Sequence, residues 1–91
     1  MAKELTGATL RLRWVRSQLQ IALEILDNPG GGLVFGYQAM GQARSHLAES
    51  EPGRWDREVE NLLEAERQAV WRNFPAARAL VEQVLKALPE G

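Results

Sequence analysis

The chain has 91 residues, a formal net charge of −1, one histidine and no cysteine. This length accommodates one domain, and the absence of cysteine excludes a disulfide framework, a zinc–thiolate site and a cysteine nucleophile. The sequence has no run of about 18 apolar residues, so no membrane span is predicted. The first residues lack the pattern of a secretory signal. We therefore expect a single domain over residues 1–91, located in the cytoplasm without membrane contact.

The first predicted helix ends at Leu26, before the helix-breaking run Asp27-Asn28-Pro29. Its apolar residues recur at alternating spacings of three and four, which is typical of a helix with one buried seam over three heptads. The seam consists of Leu5, Ala8, Leu12, Val15, Leu19, Ala22 and Leu26.

A second apolar row lies beside that seam on the same helix. It contains Leu10, Trp14, Ile21 and Ile25, with Gln18 interrupting it. A small bundle that covers one side of a helix leaves the other side in water, and soluble monomers seldom display such a patch. We therefore predict that this row forms a subunit interface. The alternative is that the other helices wrap far enough around to bury both rows.

Helix two is predicted over residues 33–50. A row of large residues (Tyr37, Met40, Leu47) lies beside a row of small ones (Gly36, Ala39, Ala43). Glycine in a helix interior costs about 1 kcal/mol relative to alanine, and a sequence that tolerates this cost usually needs close backbone approach. The small row therefore predicts tight packing against helix one.

Helix three is predicted over residues 54–73. Its expected core row is Val59, Leu63, Ala69 and Val70, flanked by Trp55 and Leu62.

Apolar residues then continue to recur at helical spacing through Pro75 to Leu88. Either Pro75 kinks one long helix, or a break at Asn73 and Phe74 places the proline in the first turn of a fourth helix. The residue before a proline avoids the α region, which favours the break. Since no segment alternates with period two, we predict an all-α fold, a small antiparallel bundle of three to four helices with short loops.

Residues suited to catalysis or to metal binding are few. No lysine lies on the helix of His46 to support phosphotransfer, and Ala43 stands where the Glu-x-x-His pattern of bundle metal sites needs a glutamate. With one histidine and no cysteine, most nucleophile–base pairs are excluded. The glycine run at residues 30–32 is not accompanied by the lysine that a phosphate-binding loop requires. We expect no enzyme activity, no metal and no cofactor, and we expect His46 to be a surface residue.

Basic residues are concentrated near the N-terminus, where residues 1–20 have a local charge of +3. Arg13 and Arg16 share a helical face, whereas Arg11 lies about 160° from Arg13 around the helix, so the three form a weak basic patch for phosphate binding. The leading interpretation is a non-catalytic protein–protein interaction or structural module, a homodimer or a partner of another protein. The alternative is a small nucleic-acid-associated regulator that uses the arginines of helix one, which salt-dependent retention on DNA would reveal.

The segment FPAARALVEQVLKALP, from Phe74 to Pro89, resembles the second helix of a tetratricopeptide repeat. The resemblance rests on the aromatic Phe74, on Ala77 three positions later and on Pro89 at the end of the helix. It covers 16 of the 91 residues, and the preceding helix has Asn61 and Gln68 where the family usually has aromatic residues. The resemblance implies peptide or protein binding.

Overall fold

The computed structural model describes residues 7–89, with side chains from Leu10 onward, and it contains four helices. They are α1 (Gly7–Asp27), α2 (Leu33–Ser50), α3 (Asp56–Val70) and α4 (Phe74–Ala87). No strand occurs within these residues, which confirms the all-α bundle with short loops. Of the predicted seam on α1, Leu5 and the side chain of Ala8 lie outside the described part. None of the helices is long and apolar enough to cross a membrane.

Polar contacts show that α1 and α4 are antiparallel neighbours. Near the middle of α1, the Arg16 side chain donates to the backbone carbonyl of Leu85, late in α4, at 3.2 Å. At the other end of the pair, Arg78 of α4 bonds to the Asp27 carboxylate that closes α1. This carboxylate raises the pKa of Arg78 through the hydrogen bond and the opposite charge.

The pairing of α2 with α3 is also antiparallel. Tyr37 of α2 donates its hydroxyl to the Ala69 carbonyl at 3.1 Å, and Arg44 holds Glu66 through a 2.7 Å contact from Nε. The hydrogen bond to Glu66 raises the pKa of Arg44. With the α1–α2 and α3–α4 hairpins, these contacts make an up-down-up-down bundle in which every helix lies between two antiparallel neighbours.

The small-residue row of α2 packs closely against α1, as predicted. Gly36, Ala39 and Ala43 are all buried. A β-carbon placed on Gly36 would lie only 3.0 Å from Cγ2 of Ile25, so α1 occupies the space that a side chain would need. The glycine therefore permits a short distance between α1 and α2.

The predicted core row of α3 is correct in part, because Ala69 is buried and Val59 packs against the core, but Leu63 and Val70 do not belong to it. Leu62, Ala65 and Ala69 are buried, whereas Leu63 and Val70 have exposed fractions of 45% and 60%. The buried row packs against α2 and α4, the two helices that α3 contacts. Leu63 and Val70 are each one residue beyond this row, about 100° further around the helix, and face solvent.

The proposed break before Pro75 is confirmed, because α3 and α4 are separate helices. The Asn73 side chain caps α4 by accepting a hydrogen bond from the Ala76 N–H at 3.4 Å. Pro75 lies in the first turn, where a missing N–H costs no intrahelical bond.

Arg72 follows α3 in the left-handed region, with a φ of 63°. Its N–H donates to the Ala69 carbonyl at 3.0 Å, and the Asn73 N–H donates to the Gln68 carbonyl at 2.8 Å. These are the two bonds of a Schellman motif, in which this position is usually glycine because a β-carbon is strained there.

Replacing Arg72 with glycine should therefore raise the free energy of unfolding by about 1 kcal/mol. Relieving the strain of the left-handed backbone stabilises the folded chain by more than the added flexibility of glycine stabilises the unfolded chain. Urea denaturation measures the change. The matched control is Arg72→Ala, which keeps the β-carbon and should give almost no gain. An equal gain in both variants would contradict the strain account.

Candidate interaction face on helices α1 and α2

The outer side of the α1–α2 hairpin exposes four large apolar residues, which we call the α1–α2 face. They are Leu10, Trp14 and Ile21 on α1 and Phe35 on α2, with exposed fractions of 50%, 37%, 44% and 64%. The seam on the opposite side of α1 is buried, with Val15, Leu19, Ala22 and Leu26 in the core. The bundle thus covers one apolar row of α1 and leaves most of the other uncovered.

At one end of the face, Trp14 packs against His46 of α2. Their ring centroids are 4.5 Å apart and the rings are tilted by 54°. Leu10 and Arg11 complete a shallow groove with this pair. His46 is half-buried rather than fully solvated, and its ring packs against the Trp14 indole.

At the other end, Ile21 and Phe35 line a second shallow groove together with uncharged polar residues, Gln18, Gln38 and Gln42. Within the described part of the chain, no charged side chain lines this groove. An apolar pair surrounded by amide groups is easily desolvated, which suits a contact with another protein surface.

Ile25, the fourth residue of the predicted row, has a different environment. It is half-buried, and its Cγ2 approaches both Gly32 and Gly36 of the α2 segment. Helix α2 covers much of this residue, so Ile25 belongs mainly to the α1–α2 contact within the chain. Leu10, Trp14 and Ile21 remain exposed, and an interface at these residues stays a prediction.

The three arginines proposed as a basic patch do not present one common surface. Arg16 turns toward α4, where its guanidinium bonds to the Leu85 carbonyl. Arg11 lines the groove of Trp14 on the side of α2. Arg13 is exposed and makes an interaction of its own. Among the described residues, these three side chains form no continuous positive stripe of the kind that binds phosphate backbones.

The sequence reasoning missed Phe35. The signal was available, because Phe35 lies on the side of α2 opposite the Met40 and Leu47 row and a large aromatic residue there has no core to enter. Other exposed apolar residues lie outside the α1–α2 face: Val34, Leu63, Val70 and Trp71.

Among the residues that the structure describes, no group of three or more histidine, cysteine, aspartate or glutamate side chains could hold a metal ion. Comparison with protein-family models, curated proteins and solved structures gives no match for the chain. The interpretation of the α1–α2 face therefore rests on its own physical chemistry.

Proposed function

We propose that the chain is a non-catalytic interaction or assembly module of the cytoplasm, and that it binds a second copy of itself through the α1–α2 face. The observation that carries this proposal is the exposure of Leu10, Trp14 and Ile21 on a helix whose opposite side already forms the core. Burying a large apolar side chain contributes about 1.5–3 kcal/mol relative to leaving it in water.

Trp14 is suited to be the anchor of such an interface. It has a large apolar surface, and its contact with His46 at 4.5 Å limits its motion before binding. Tryptophan is enriched among the residues that dominate binding energy, and restricting a side chain in advance lowers the entropic cost of association.

The size of the chain gives a second reason for self-association. A domain of this length buries only roughly two thirds of the surface of its unfolded chain. A two-fold partner presenting the same face adds buried apolar area without requiring a second kind of surface. The nucleic-acid alternative has weaker support because Arg16 is directed to α4.

Replacing both Trp14 and Ile21 with glutamine should convert a dimer into a monomer, because the apolar centre of the face is lost. Light scattering measures the particle mass, and circular dichroism verifies that the helices remain. The matched control is Leu63→Gln, since Leu63 on α3 has an exposed fraction of 45% against 44% for Ile21. The control should stay dimeric. Loss of the dimer in Leu63→Gln and not in the double variant would place the interface elsewhere.

A further inference from the structure

We infer that the two copies pair with their α1 helices antiparallel, about a two-fold axis that passes beside Ser17 and Gln18. This inference rests on the proposed function and specifies the geometry of the same face. Its basis is the position of the apolar residues along α1. Leu10 and Ile25 are equally far from the point between Ser17 and Gln18, and so are Trp14 and Ile21.

At about 1.5 Å of rise per residue, Leu10 and Ile25 lie roughly 11 Å from this midpoint, and Trp14 and Ile21 roughly 5 Å. An antiparallel two-fold pair therefore places Trp14 of one copy on Ile21 of the other. The part of Ile25 that α2 leaves uncovered then lies opposite Leu10. A parallel two-fold pair would instead place each residue of the row on its own equivalent, Trp14 on Trp14 and Ile21 on Ile21.

The exposed charges along α1 favour the same orientation. Its first half has the exposed residues Arg11 and Arg13, and its second half has the exposed residue Glu24. Antiparallel pairing brings the positive half of one copy to the negative half of the other, while parallel pairing sets like charges side by side. Complementary charges of this kind fix the orientation of a complex more than its affinity.

The length of the face agrees with a small homodimer. From Leu10 to Ile25 the row spans about 22 Å along the helix axis. Phe35 widens the apolar area toward α2, and the surrounding glutamines provide a polar rim. A stable interface commonly buries roughly 800 Å² per partner around such an apolar centre.

Because the chain contains no cysteine, single-cysteine variants report directly on the distance between equivalent residues of the two copies. Ser17 is exposed beside the apolar row and lies next to the inferred axis. Two cysteines form a disulfide when their β-carbons approach to about 4 Å. Ser17→Cys should therefore cross-link to itself under mild oxidation. Leu10→Cys should not, since the antiparallel pair separates its two copies by about 22 Å.

Leu10→Cys shortens an apolar side chain of the face, so its dimer should be weaker than that of Ser17→Cys. Each variant is therefore oxidised at a protein concentration where light scattering shows that variant to be a dimer. The expected result is cross-linking of Ser17→Cys at least tenfold faster than of Leu10→Cys. Equal or faster cross-linking of Leu10→Cys would overturn the antiparallel orientation while leaving the dimer intact. A dimer that cross-links at neither position would also overturn it. A monomeric particle for the unmodified chain would instead contradict the proposed function, so the two failures are distinguishable.

Discussion

Replacing Gly36 with leucine is expected to lower the free energy of unfolding by about 2–3 kcal/mol. Even a β-carbon at this position would lie 3.0 Å from Cγ2 and 3.5 Å from Cβ of Ile25. Leucine adds further atoms in the seam between α1 and α2, and overpacking of this kind costs about 1–3 kcal/mol or more. The better helix propensity of leucine offsets only part of that cost. Chemical denaturation followed by circular dichroism measures the change.

Gly41 provides the matched control, since it is also inside α2 but has room for a β-carbon. The nearest atoms to a β-carbon there are Arg44 Nη2 at 3.8 Å and Glu66 Oε1 at 3.9 Å, which are ordinary contacts. Gly41→Ala should therefore stabilise the protein by about 1 kcal/mol through helix propensity. A neutral or stabilising Gly36→Leu would show that α1 and α2 do not approach each other as closely as described.

Replacing Leu62 with alanine should cost about 2–5 kcal/mol, the range observed when a fully buried leucine leaves a cavity. Leu62 has no exposed surface and lies between α2 and α4 in the core. The neighbouring Leu63 has the same chemistry and an exposed fraction of 45%. Leu63→Ala should cost less than about 1 kcal/mol, because surface substitutions have small effects.

This pair of variants tests the register of α3 by thermal or urea unfolding. For a chain of 91 residues the total stability is on the order of 5–14 kcal/mol, so the loss at Leu62 is a large fraction of it. If Leu63→Ala were the more damaging change, the core row expected from the sequence would be right and the structural register wrong.

The limits of the helices were mostly predictable because proline and glycine mark them. Helix α2 begins at Leu33 and ends at Ser50, as the sequence predicts, and the break before Pro75 follows from proline's geometry. The end of α3 was predicted at residue 73, but the helix ends at Val70. The left-handed Arg72 closes it, and an arginine gives no sequence signal for a position that is usually glycine.

The buried side of α3 could not be read from periodicity alone. Leu62 and Ala69 are seven residues apart, and so are Leu63 and Val70, so both rows have helical spacing. The sequence prediction combined Ala69 with Leu63 and Val70 and placed Leu62 beside that row. What decides between them is the position of α2 and α4, which cover the side of α3 that contains Leu62 and Ala69. That information lies in tertiary packing.

The candidate face was predictable in part. On α1, the two apolar rows lie at different angles around the helix, so one small core could not cover both, and Leu10, Trp14 and Ile21 are indeed exposed. The sequence could not show that Ile25 would pack against Gly36, because that contact depends on how closely α2 approaches. Nor could it place His46 against Trp14, since the two residues are far apart in the chain.

The central claim is that the α1–α2 face joins two copies of the chain. The most direct test is the mass of the unmodified particle, measured by multi-angle light scattering over a wide range of concentrations. We predict twice the chain mass of 10.2 kDa at high concentration, with dissociation on dilution. A mass of 10.2 kDa at every concentration would contradict the claim.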